Sequence, residues 1–91
     1  MAQQQRLIHF SGTVQGVGFR FTAAHVAVGH SVTGYVKNLP DGRVELLVEG
    51  EEQEIDAFLA ELQERMRGYI RQVTEQRGPA SGRYTAFQVR F

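Results

Sequence analysis

Twice along this chain an alternating pattern of apolar and polar residues gives way to helical spacing, and that double switch restricts the fold more than any other feature. Residues 6–12 alternate, with Ile8 and Phe10 on one side and Leu7 and His9 on the other, which predicts a strand. Phe21, Ala24 and Val28 then fall at i, i+3 and i+7, with Ala23 and Ala27 widening the stripe, and Gly29 is a natural stop. Residues 32–38 and 43–49 read as two further strands. Between them Leu39, Pro40, Asp41 and Gly42 make a turn by their own chemistry, since proline presets φ and glycine accepts a left-handed conformation. The two strands should close as an antiparallel hairpin.

Residues 51–66 carry the second helical pattern. Ile55, Phe58, Leu59, Leu62 and Met66 share one stripe, while Glu51, Glu52 and Glu54 load the first turn, where the dipole favours anions. Arg65 and Arg67 sit near the other end, also the favourable sign. This acidic run reads as a solvated helix start rather than a metal site. Tyr69, Ile70 and Val73 suggest a fourth strand, and residues 78–82 a loop. Residues 84–91 alternate again, with Phe87, Val89 and Phe91 opposing Gln88 and Arg90. The order is β-α-β-β-α-β, with a further edge strand possible. It predicts an α+β fold of the ferredoxin-like kind, an antiparallel sheet carrying two helices on one face.

A chain of 91 residues is expected to form one domain over residues 1–91, because a second core could not be buried. The absence of cysteine removes a disulfide framework, a thiol nucleophile and a zinc thiolate site. His9, His25 and His30 form no helical ligand pair, so no metal site is expected and the three read as structural or surface residues. Ten basic and ten acidic residues balance to zero formal charge, without the basic excess of a nucleic-acid binder. RNA-recognition domains share this element order but stack bases on aromatics of their third strand, and residues 43–49 carry none. No nucleic-acid partner is expected. The opening Met1-Ala2-Gln3-Gln4-Gln5-Arg6 has no apolar core of signal length and no later run approaches a membrane span. A cytoplasmic protein with a frayed polar lead-in at Gln3, Gln4 and Gln5 follows.

The chemistry is concentrated in Phe10-Ser11-Gly12-Thr13-Val14-Gln15-Gly16-Val17-Gly18-Phe19-Arg20. Gly12, Gly16 and Gly18 allow positive φ and close approach to a ligand. A helix starting near Arg20 presents unpaired N–H groups and the positive end of its dipole to the same place. An arginine there adds a fork-shaped cation that matches phosphate oxygens. Eighteen residues after Arg20 stands Asn38, inside Gly34-Tyr35-Val36-Lys37-Asn38-Leu39-Pro40-Asp41-Gly42-Arg43-Val44-Glu45. Asp41 reads as a turn former and Phe19 as a core anchor for the loop.

Together these two segments resemble the motifs of the acylphosphatase family. The first matches at Gly12, Val14, Gln15, Gly16, Val17, Phe19 and Arg20, the second at Gly34, Tyr35, Val36, Asn38, Asp41, Gly42, Val44 and Glu45. The resemblance runs on to the closing Phe87-Gln88-Val89. It implies a phosphoric-anhydride hydrolase that cleaves acyl phosphates to a carboxylate and inorganic phosphate without a metal or other cofactor. It assigns Arg20 to phosphate binding and Asn38 to the attacking water. The backbone N–H groups of Gln15, Gly16, Val17, Gly18, Phe19 and Arg20 would wrap the phosphate oxygens. The expected partners are a small acyl phosphate and inorganic phosphate, bound by a monomer. A non-catalytic anion-binding module is the alternative, since an acylphosphatase-like segment also opens larger carbamoyl-transferring maturation proteins. Three places depart from the family pattern: Ala23 stands where threonine is frequent, His30-Ser31-Val32 replaces a Leu-Gly-Leu, and Glu64-Arg65-Met66 stands near a usual Gly-Pro-Pro.

Overall fold

Seven elements form in chain order: β1 (Gln3–Gly12), α1 (Phe19–Ala27), β2 (Thr33–Asn38), β3 (Val44–Glu51), α2 (Glu52–Arg65), β4 (Ile70–Pro79) and β5 (Phe87–Arg90). The structure is a computed structural model that describes residues 3–91, so Met1 and Ala2 of the opening segment lie outside it. Gln3, Gln4 and Gln5 are not a frayed lead-in. They pair with Glu51, Gly50 and Glu49 of β3, because the long β3 offers free backbone groups that far along the ladder.

The sheet runs β4-β1-β3-β2-β5. β1 is antiparallel to β3 and β4, and β2 to β3. β5 instead runs parallel to β2, with Gly34 opposite Phe87 and Lys37 opposite Arg90, so the sheet is mixed rather than purely antiparallel. The cause is the path of the chain. β4 ends beside the start of β1, where Pro79 lies opposite Gln4 and Ala80 N–H donates to the Gln3 carbonyl at 3.2 Å. The next strand must leave from that end of the sheet, which is also where β2 begins, and it therefore runs with β2. The crossing segment is held by the buried Glu49, whose carboxylate accepts from Ser81 N–H (2.8 Å), Ser81 Oγ (2.7 Å), Gly82 N–H (3.1 Å) and Gln5 Nε2 (2.6 Å). Burial pushes this carboxyl up, but the bonds from Ser81, Gln5 and Gly82 outweigh it and leave the Glu49 pKa below its ordinary value.

One apolar cluster fills the space between the sheet and the helices. Ile8 and Phe10 of β1, Val36 of β2 and Val44, Leu46 and Val48 of β3 meet Ile55, Phe58 and Leu62 of α2, all essentially inaccessible. The α2 stripe is the one its spacing predicts, and Glu52 and Glu54 occupy its first turn. The stripe predicted for α1 is rotated. Its buried residues are Phe19, Ala23, Val26 and Ala27, while Phe21 and Val28 are 62% and 86% exposed. Apolar residues lie nearly all around this short helix, so the wheel alone does not choose a face. Phe19 chooses it, because its ring packs on Phe10 at 4.9 Å between centroids and drags the rest of the helix into phase.

The departures from the family pattern are absorbed by local contacts. Ala23 is fully buried under the sheet. Beyond α1, His30 Nε2 lies 3.1 Å from Glu61 and Ser31 N–H donates to Glu54 at 2.9 Å, so the exit is tied to α2. The α2-to-β4 connection turns on Tyr69 N–H to the Met66 carbonyl at 2.9 Å. Arg6 is 2% exposed on the helix side of β1, where its Nη1 lies 2.8 Å from Asp56 of α2 and 3.7 Å from Glu75 of β4.

Candidate active site

The site is built where β1 hands the chain to α1. Gly12 has φ +126°, at a register shift between β1 and β4. A Cβ there would stand 2.5 Å from the Tyr69 carbonyl, so Gly12 serves the approach of β4 and not of a ligand, contrary to the expectation for this glycine. The loop then dips inward at Val14, which is wholly buried, and Gly18 takes φ +76° as the residue before α1. No side chain caps the helix at Gly18. Among the described residues, no hydrogen bond uses the backbone N–H groups of residues 15–19. A helix N-terminus with free amides is an anion site by its electrostatics.

Arg20 stands in the first turn of α1 and Asn38 is the last residue of β2, and both line one cleft of about 200 Å³. Val14, Gly16, Gly18, Phe19 and Phe21 complete its walls. Arg20 Nη1 donates to the Arg90 carbonyl at 3.2 Å, and its guanidinium carbon lies 4.6 Å from the Phe91 ring centre. These contacts at the end of β5 hold the cation at the cleft, and among the described residues no carboxylate is paired with it.

Two residues of the predicted loop do not line the cleft. The side chain of Val17 packs against the core. The amide of Gln15 reaches the opposite wall instead, donating from Nε2 to the carbonyls of Leu39 (2.8 Å) and Arg43 (3.0 Å). Gln15 thereby ties the loop to the turn that follows Asn38. Within that turn Asp41 accepts from Arg43 N–H at 3.0 Å and Arg43 Nε at 2.8 Å, bonds that hold its carboxyl below the ordinary value. It is a turn former, as its sequence context predicts.

The hairpin that delivers Asn38 is braced on the other face of the sheet. Tyr35 donates from its hydroxyl to Glu45 at 2.8 Å, His9 Nε2 lies 3.0 Å from the same carboxylate, and Lys37 lies 3.6 Å away. Burial and then Glu45 push the Tyr35 phenol up to about 12. Among the described residues no group of His, Cys, Asp and Glu is placed to hold a metal ion. His25 is exposed and does not line the cleft.

Phe21 escaped the sequence reading. Its helical spacing puts it in the buried stripe, and only a wheel anchored on Phe19 turns it outward to the cleft. The Arg90 carbonyl and Phe91 carry no local signal, because their place beside Arg20 follows from the direction of β5.

The acylphosphatase family model matches residues 7–89, which include the whole cleft. The chain belongs to the acylphosphatase family. A curated acylphosphatase of Archaeoglobus fulgidus is 55% identical over 53 residues, 58% of this chain and 60% of that relative. The chain thus matches about three fifths of that protein's length. Among solved structures, the acylphosphatase of Bacillus subtilis is similar with a TM-score of 0.86 and 28% identity, covering 97% of this chain and 99% of that one. HypF of T. kodakarensis is similar with a TM-score of 0.82 and 34% identity, over 97% of this chain but 12% of that protein. No helix among the described residues is long and apolar enough to cross a membrane.

Proposed function

We propose that the protein hydrolyses acyl phosphates to a carboxylate and inorganic phosphate. The observation that carries this reading is the single cleft in which Arg20, the free amides of the loop and Asn38 converge. The phosphoryl oxygens sit against the N–H groups of residues 15–19 and the Arg20 fork. Asn38, across the cleft, holds a water in line with the scissile bond through its amide. Water oxygen bonds to phosphorus as the bond from phosphorus to the acyl oxygen breaks. The electron pair leaves with a carboxylate, which is stable as an anion and needs no general acid. The water's proton goes to a phosphate oxygen. Catalysis here is positioning and charge stabilisation, which suits a site with a cation and amides.

This reading takes residues 1–91 as one domain, a monomer that acts in the cytoplasm on small substrates. The likeness to a short part of HypF supports a second reading, a phosphate-binding module without turnover. A panel of acyl and carbamoyl phosphates, assayed with wild type and Arg20→Ala beside direct binding of inorganic phosphate, separates the two. Turnover lost in Arg20→Ala supports the hydrolase; phosphate binding with no turnover of any member supports the module.

A further inference from the structure

The face of the sheet away from the helices carries a second concave site. Phe87 and Val89 of β5 pack against the core, so the alternation of the strand turns Gln88 and Arg90 to the other face. The segment before β5 passes over that same face, with the Tyr84 ring 6.0 Å from that of Tyr35 between centroids. It is anchored at both ends: Glu49 holds Ser81 and Gly82, and the Ala86 carbonyl accepts from Gly34 N–H at 3.0 Å. Between this segment and β5 lies a bay of about 280 Å³, walled by Arg83, Tyr84, Thr85, Ala86, Gln88 and Arg90. The bay shares no wall residue with the cleft of Arg20 and Asn38.

Every wall residue except Ala86 carries a polar group, and two are arginines. Arg90 is set in place by aromatic faces, its guanidinium carbon 4.1 Å from the Tyr35 ring centre and 6.0 Å from that of Tyr84. Among the described residues neither Arg83 nor Arg90 pairs with a carboxylate. The carboxylates that brace this face are engaged elsewhere, Glu45 by Tyr35 and His9, Glu49 by Ser81, Gly82 and Gln5. What the bay offers is two fork-shaped cations with a hydroxyl and an amide beside them, and no counter-charge.

We propose that this bay binds a small polyanion of two or three linked phosphate groups, at a site separate from the cleft. An arginine fork matches the oxygens of one phosphate group. Arg83 and Arg90 come from two different segments, so each serves a group of its own. The bay is also larger than the cleft of about 200 Å³, which takes a single phosphoryl group. Its walls are fixed before the ligand arrives, by Glu49 and Gly34 on one side and the Tyr35 ring on the other, which lowers the cost of binding. The proposal goes beyond the hydrolase reading and needs no turnover.

The test is an NMR titration with tripolyphosphate and, separately, inorganic phosphate, at constant ionic strength. Tripolyphosphate should shift the Thr85 and Gln88 amides and bind there about tenfold more tightly than inorganic phosphate, since a second group gains its own charge-assisted bonds. Arg20→Ala should keep this response while that of Gly16 and Gly18 in the cleft weakens. Arg83→Gln should weaken tripolyphosphate at the bay about tenfold and leave the response of Gly16 and Gly18 to inorganic phosphate unchanged. Arg90→Gln, made in the Arg20→Ala background, should weaken the bay by a similar factor. Arg83 and Arg90 are exposed, so these variants should fold, which circular dichroism checks. The Arg90 carbonyl accepts from Arg20, so a signal relayed from the cleft is the rival explanation. A Thr85 and Gln88 response that disappears in Arg20→Ala would be that relay and would overturn the site. Equal affinity for the two probes, or wild-type binding by Arg83→Gln, would overturn it as well.

Discussion

α2 begins with Glu52 and Glu54 in its first turn and ends with Arg65 in its last, whereas α1 begins behind a left-handed glycine with Arg20 in its first turn and no acidic residue there. The first arrangement suits the helix dipole at both ends. The second places a cation at the positive end, which costs about 0.3–1 kcal/mol at an exposed site. α1 is nine residues long and α2 fourteen, so the shorter helix has the less favourable start. Packing of Phe19, Ala23, Val26 and Ala27 offsets it. One helix is arranged for stability, and the other starts with a less favourable charge and, among the described residues, with amides that no hydrogen bond uses, as the proposed anion site requires.

The largest effect expected is on catalysis at the α1 end. Arg20→Ala should lower kcat/KM by about a thousandfold and weaken phosphate inhibition, yet change unfolding free energy by less than about 1 kcal/mol. Arg20→Lys should also fail, because one ammonium cannot replace the fork. Chemical denaturation beside steady-state kinetics checks the split; a large stability loss in Arg20→Ala would erase the contrast between the helices. Leu62→Ala in α2 should do the reverse. It opens a cavity in a fully buried position and should cost about 2–5 kcal/mol, with KM unchanged in the fraction that stays folded.

Asn38→Ala should reduce kcat by about a hundredfold while inhibition by inorganic phosphate stays near wild type. Equal losses in kcat and phosphate affinity would move Asn38 from the water to the phosphate. A smaller effect belongs to the far end of the sheet. The Glu49 pKa is depressed in the folded protein, so its stabilisation is present above the unfolded carboxyl value of about 4.3 and is lost as pH falls through the folded value. Melting temperature should fall less steeply below about pH 4.3 in Glu49→Gln than in wild type. Some slope should persist from Glu45, Glu61 and Asp41, whose values are depressed too. The smallest effect is on rate against pH. With a dianionic substrate, kcat should be nearly flat between about pH 6 and 8, because neither a guanidinium nor an amide titrates there. A steep limb that disappears in His25→Gln would add a base to the mechanism.

The turn at Asp41 and the whole α2 stripe were legible in the chain, because each depends on neighbours a few positions away: turn chemistry, dipole sign or a regular spacing. The β2–β3 hairpin belongs with them. Arg20 and Asn38 were marked by resemblance to the acylphosphatase motifs, and the fold brings them to one cleft. Five features were decided only in three dimensions. The face of α1 depends on Phe19 meeting Phe10, a contact between separate elements, and Phe21 reaches the cleft only as its consequence. Gly12 faces β4, and the Gln15 side chain bridges to a turn more than twenty residues on. Gln3, Gln4 and Gln5 join β1 because β3 extends far enough to pair with them. The parallel direction of β5 follows from where β4 happens to end, and with it the Arg90 carbonyl and the Phe91 ring arrive beside Arg20. Local patterns specify which groups a segment offers, but the partners that use them are chosen by packing between segments far apart in the chain.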